Sequence, residues 1–191
     1  MILSIDSSTK TIQLGVQYSG QRCVMTSDDG AETLPQLFEK CCVGLGQSQS
    51  SPIDGIGVIV GPGSYTGLRL GVTFAKSLSI HSSCGIWGIH RFDMIMKDVS
   101  DGYEGVTVVL SPSRRGWLNV RMYRSLGDWF EPLSQTQQQS EAQCQRFLQR
   151  FESSIRIVYD VAITDFLMGF KESVHPLCIW KGAHLCGDTL L

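Results

Sequence analysis

The residues with most capacity for chemistry stand at two turns. Asp6 closes the short apolar run Met1 to Ile5 and is followed by Ser7, Ser8 and Thr9. One carboxylate with three hydroxyls can face phosphate and help hold a hydrated magnesium ion. The same residues also build a plain hairpin turn, because Asp and Ser side chains bond to nearby backbone. Further on, Gly61, Pro62, Gly63 and Ser64 lead from the apolar run GIGVIV into a helical stretch. A helix N-terminus offers unpaired N–H groups to an anion. Asp6, Gly61, Gly63 and Ser64 are thus the candidate anion or nucleotide loop. Gly61, Gly63 and Gly67 fit neither G-x-G-x-x-G nor the P-loop, so a plain tight turn explains them better. Ser64 lacks a G-x-S-x-G setting and reads as a helix cap rather than a nucleophile.

Metal chemistry finds little support. A metal-dependent transferase or protease needs histidines one helical turn apart so that both reach one ion. His81, His90, His175 and His184 offer no such pair. His175, Cys178, His184 and Cys186 could supply soft ligands, but Pro176 and the irregular spacing oppose a formed site. No metal, cofactor or catalytic residue is expected on this chain.

Bulk properties narrow the classes further. A net charge of -2, with no run of Lys or Arg, argues against a protein that grips nucleic acid alone. Seven cysteines without regular spacing suit reduced thiols in a cytoplasm. The opening MILSID has no basic leader region, and no stretch approaches the apolar length of a membrane span. A cytoplasmic, non-membrane protein is expected. Hydrophobic residues make up 42% and charged ones 18%, which leaves some apolar surface for a partner to cover.

The elements that must position these residues follow from periodicity. Ile12, Leu14, Val16 and Tyr18 alternate at strand period, Ser19-Gly20 turns the chain, and a third strand runs from about Arg22 to Thr26. Thr33 and Gln36 fit a capping box ahead of Leu34, Leu37, Phe38, Cys41, Cys42 and Leu45 at helical spacing. Gly55 to Val60 reads as a buried strand, and a second helix ends near Ser79. A short strand, Cys84 to Ile89, and a short helix through Met96 lead to strands at Val106 to Leu110, Trp117 to Arg124 and near Phe130 to Leu133. Ser140 and Gln143 suggest another capping box, with a helical stripe to Phe151, a strand at Ile155 to Tyr159 and a helix at Ala162 to Lys171. Both halves therefore read βββαβα, a doubled three-layer α/β architecture with its boundary near Asp98 to Gly105. The expected subdomains are residues 1–97 and 98–191.

On the second helix Gly67, Gly71, Ala75 and Ser79 recur four apart on one face. Each glycine costs about 1 kcal/mol against alanine there, so something must approach closely. It is either the protein's own sheet or a partner helix flanked by Leu70, Phe74 and Leu78.

Gly61 to Lys76 resembles G-P-G-S-[FY]-T-G-L-R-[IL]-G-[LV] followed by A-K, the signature of the TsaB (YeaZ) family. MILSIDSST is similar to that family's opening I-L-x-I-D-T-S-T, and Val174 to Lys181 resembles its closing V-x-P-L-Y-L-R. The resemblance implies a duplicated actin-like ATPase, ribonuclease H-like fold. It also implies a non-catalytic paralogue of TsaD in tRNA threonylcarbamoyladenosine synthesis. The expected partners are a TsaD-like catalytic subunit, a TsaE-like ATPase, and tRNA only through the complex. In the family the first-half helices pack on TsaD or on a second copy, which tilts the stripe toward an interface of Gly67, Leu70, Gly71, Phe74, Ala75 and Leu78.

The chain departs from the family at Ser111 to Gly116, where D-A-R-x-G-E-V-Y is usual. Pro112 replaces the Asp, Trp117 the Glu and Asn119 the Tyr, and Gly30 to Thr33 lacks the family's His-Ser-Glu. An independent actin-like ATPase or kinase relative acting through Asp6 and Thr9 would want an acid in that second turn. None stands there.

Overall fold

A computed structural model describes residues 1–99, 102–151, 154–160 and 178–183. The described residues form two compact units that part between Met94 and Ile95. The junction lies inside a helix, a few residues before the Asp98 to Gly105 boundary expected from the order of elements.

In the first unit β1 (Ile2–Asp6), β2 (Ile12–Tyr18) and β3 (Gln21–Ser27) form an antiparallel meander. Helix α1 (Leu34–Gly44) returns the chain so that β4 (Gly55–Gly61) lies parallel to β1. Helix α2 (Tyr65–Ser82) then carries it to β5 (Gly85–His90), parallel to β4. The resulting strand order is β3-β2-β1-β4-β5. A parallel pair needs a crossover of this length, which is why helices follow β3 and β4 but not β1. Alternation decides which face is covered: Leu3, Ile5, Leu14, Val16, Ile56 and Val58 are buried with Leu34, Leu37, Phe38 and Cys41 of α1. Each large apolar side chain so buried contributes about 1.5–3 kcal/mol.

Thr33 does not act as the cap its spacing suggests. Ala31–Thr33 forms a single 3-10 turn, and the Thr33 hydroxyl donates to the Gly30 carbonyl at 2.7 Å. Pro35 in the first turn of α1 needs no N–H partner, so the helix starts without a side-chain cap.

Helix α3 (Arg91–Asp98) leads into the second unit, whose hairpin pairs β6 (Glu104–Pro112) with β7 (Trp117–Leu126). Two short strands share the other edge of β7: β8 (Trp129–Pro132) on its C-terminal part and β9 (Gln137–Ser140) on its N-terminal part. Helix α4 (Glu141–Leu148) follows β9 directly. Its cap is the expected box: the Ser140 hydroxyl accepts from the Gln143 N–H at 3.3 Å, and the Gln143 side chain accepts from the Ser140 N–H at 2.8 Å. Strand β10 (Ile155–Asp160) lies parallel to β6 and β11 (Cys178–Ala183) parallel to β10. The βββαβ order of the first unit thus recurs with the third strand in two pieces, β8 and β9; the helix expected at Ala162 to Lys171 lies outside the described residues.

On one side of the second sheet Cys144 and Leu148 pack on Val108, Leu110, Leu118, Val120, Ile155 and Ile157. Arg156, on the same strand as Ile155 and Ile157, is also buried. Its guanidinium donates to the Thr107 hydroxyl (3.1 Å), the Ser125 hydroxyl (3.1 Å) and the Val99 carbonyl (3.3 Å), and it lies 4.5 Å from the Tyr103 ring centre. Such oxygens and an aromatic face replace water around a charge that cannot be shed.

Candidate functional site

Asp6 is buried at the end of β1, and its carboxylate turns back on its own loop. Oδ1 accepts from the Ser8 N–H at 2.8 Å and from the Ser8 hydroxyl at 2.5 Å. This is the turn-forming use of an aspartate.

The Gly61 to Ser64 turn is anchored to that loop, with the Ser64 N–H donating to the Ser8 carbonyl at 2.7 Å. Gly61 has φ 132°, which only glycine adopts without strain. The Ser64 hydroxyl accepts from the Gly67 N–H at 3.2 Å and caps α2, as expected. Among Asp6, Gly61, Gly63 and Ser64, then, both side chains with oxygens are engaged inside the protein.

The glycine stripe of α2 faces inward. A Cβ on Gly63 would overlap the Ser8 backbone, one on Gly67 the Ser7 carbonyl, and one on Gly71 the Ser7 hydroxyl. Ala75 is fully buried in the same core as Leu3 and Ile5. This corrects the partner-helix reading for Gly67, Gly71 and Ala75: what approaches them is the chain's own β1 and the loop after it. Phe74 and Leu78 are half-buried against the core, Phe74 meeting Phe38 edge to face at 6.3 Å. Of the six residues assigned to the interface, Leu70 alone is exposed, at 40%.

The face of α2 turned away from the stripe holds residues the spacing argument passed over. Tyr65 is 74% and Ile80 81% exposed, and Val43 on α1 is 70% exposed. Arg69 lies over the Tyr65 ring at 5.5 Å from its centre. The signal was available: once Gly67, Gly71 and Ala75 face inward, a period of 3.6 puts Tyr65, Arg69 and Ile80 outward.

Beside the N-terminus of α2 lies an open cleft of about 290 Å³, lined by Thr9, Lys10, Asp28, Asp29, Glu32, Ser64 and Thr66 among others. Three carboxylates against one lysine make this a poor place for phosphate, whatever the helix terminus offers. In the second unit the corresponding turn joins β6 to β7. There the Ser113 N–H donates to the Trp117 carbonyl at 3.0 Å, and Arg114 stacks on the Trp117 ring at 4.3 Å. Asn119 donates to the Pro112 carbonyl at 3.0 Å.

Cys41, Cys42 and Cys144 are buried thiols. Burial pushes Cys41 and Cys144 up to about 12 from the ordinary 9.0 and raises Cys42. These are poor nucleophiles. Among the described residues no three His, Cys, Asp or Glu side chains are grouped to hold a metal. The side chains of His175, Cys178, His184 and Cys186 lie outside the described set. No described helix is long and apolar enough to cross a membrane.

Comparison with known proteins bears on this site. The family TsaD, tRNA N6-adenosine threonylcarbamoyltransferase, matches residues 6–129. A Pseudomonas aeruginosa structure described as an uncharacterized protein with similarity to peptidase YEAZ superposes with TM-score 0.73 at 13% identity, covering 99% of this chain and 87% of that one. YeaZ from Pseudomonas aeruginosa gives TM-score 0.72 at 13% identity, covering 99% and 88%. A Bacteroides thetaiotaomicron protein with an actin-like ATPase fold and unknown function gives 0.51 at 8% identity, covering 94% and 90%.

Proposed function

Because the chain belongs to the TsaD family, tRNA N6-adenosine threonylcarbamoyltransferase, we propose that it serves threonylcarbamoyl transfer to tRNA adenosine as a non-catalytic subunit, docking a TsaD-like catalytic partner through the outward face of α1 and α2. The observation that carries this reading is the exposure of Tyr65, Leu70 and Ile80 on a helix whose other face is locked against its own sheet. Large apolar side chains held rigidly in water are the usual core of a protein interface.

The non-catalytic part rests on chemistry. Asp6 is engaged by Ser8, the adjoining cleft is acidic, and the β6–β7 turn of the second unit carries Pro112 where a second acid would stand. A TsaE-like ATPase and tRNA would join through the complex. Attraction of tRNA phosphates by this chain alone is weak at a net charge of -2.

The test is co-purification of the full chain with a TsaD-like partner, together with mass spectrometry of tRNA nucleosides from cells depleted of this protein. Threonylcarbamoyladenosine should fall on depletion. Normal levels, with the chain found only as a homodimer, would replace this reading by a self-associating one. ATP turnover by the isolated chain that disappears in Asp6→Ala would replace it by an enzyme.

A further inference from the structure

The second unit carries a groove that neither the family nor the α2 face accounts for. It measures about 560 Å³ and is lined by Gln137, Gln138 and Gln139 of β9 and by Gln143, Arg146, Phe147 and Arg150 on and just after α4. Consecutive residues of a strand point to opposite faces. A cavity touched by three in a row therefore runs along the backbone edge of β9, not over one face of the sheet.

That edge has capacity to pair. Strand β9 bonds to β7 on one side, and no described strand lies on its other side. In an antiparallel ladder alternate residues exchange both bonds with the partner, so the residues between them aim N–H and C=O outward. The Gln139 side-chain oxygen is shielded from water and has no hydrogen-bond partner. The opposite wall is cationic: Arg146, in the last turn of α4, and Arg150, two residues past its end, are exposed, and no carboxylate lines the groove. Alternate side chains of an extended strand lie about 6.6 Å apart on one face, so two carboxylates at alternate positions of an added strand would both turn toward the two guanidinium groups.

We propose that this groove binds an extended acidic peptide segment of a partner protein, which adds as a strand to the free edge of β9 while its alternate carboxylates pair with Arg146 and Arg150. The site is independent of the α2 face.

The probe is a fluorescein-labelled octapeptide alternating valine with glutamate, titrated against the full chain by anisotropy. Saturable binding with a Kd below about 1 mM is expected, falling at least about tenfold in Arg146→Glu/Arg150→Glu. Both arginines are exposed, so circular dichroism should stay native. The same peptide N-methylated at alternate residues should bind at least about tenfold more weakly, since strand addition needs its N–H groups. Unchanged affinity of either the double variant or the methylated peptide overturns the proposal. So does equal binding of a single-stranded RNA octamer with the same loss in the variant, which would make the groove a phosphate site.

Discussion

The hydroxyl of Ser7 fills the space that a Cβ on Gly71 would need. These residues meet because β1 ends beneath α2, and they convert a helical glycine from a weakness into a packing requirement. Gly71→Ala should destabilise the chain by up to about 2 kcal/mol, overpacking of about 1–3 kcal/mol offsetting the roughly 1 kcal/mol gained in helix propensity. Ser7→Ala removes a buried hydroxyl that has no hydrogen-bond partner and should be neutral or stabilising by up to about 1 kcal/mol. The double variant should be at least about 0.5 kcal/mol more stable than the two effects sum to. Additive urea-denaturation energies would show that the two positions do not meet.

The same geometry changes how the docking helix must be probed. A bulky residue at Gly71 injures the fold before it reaches any partner. Leu70→Asp and Ile80→Asp lie on the exposed side, where substitutions shift stability by about 0.5 kcal/mol or less. Together they should abolish co-purification of a TsaD-like subunit while leaving the melting curve near that of the parent. Intact complex formation would move the interface elsewhere.

Asp6→Ala should cost about 1–3 kcal/mol, because it strands the buried Ser8 N–H and hydroxyl that the carboxylate holds. Thermal unfolding measures it. A variant as stable as the parent would remove the turn-forming role and reopen a functional one for this carboxylate.

Burial raises the folded thiols of Cys41 and Cys144 to about 12 from 9.0. Between those values the unfolded chain loses protons that the folded chain keeps. Their contribution to stability is therefore complete below pH 9 and is lost as pH rises toward 12. Urea denaturation between pH 8 and pH 10.5 should show falling stability, with a smaller fall in Cys144→Ala. An unchanged slope in that variant would mean the Cys144 thiol ionises as freely in the folded chain. Iodoacetamide at neutral pH should modify half-buried Cys23 and Cys84 well before Cys41 or Cys144.

Much of this fold is legible where side chains repeat with the period of their element. Ile12 to Tyr18 alternate and form β2, and the Ser140 and Gln143 spacing marks a cap that the structure contains. Thr33 offers the same capping signal and fails, because its hydroxyl can equally bond the Gly30 carbonyl; local spacing does not separate the two. Strand β9 carries no strand signal in sequence, since Gln137, Gln138 and Gln139 show no apolar alternation. It is a strand because β7 supplies backbone partners. The glycine stripe tells that something comes close to α2 but not what, since Ser7 reaches it through tertiary folding alone. Tyr65 and Ile80 carry their information only once the inward face is known.

The junction at Ser140 has a final consequence. Strand β9 ends on this residue and α4 begins on the next, with the reciprocal cap fixing the corner. No loop separates strand from helix, so the two walls of the groove form a hingeless bracket. A ligand entering it would find the backbone of both walls preorganised, leaving the Arg146 and Arg150 side chains as the part whose ordering lowers its affinity.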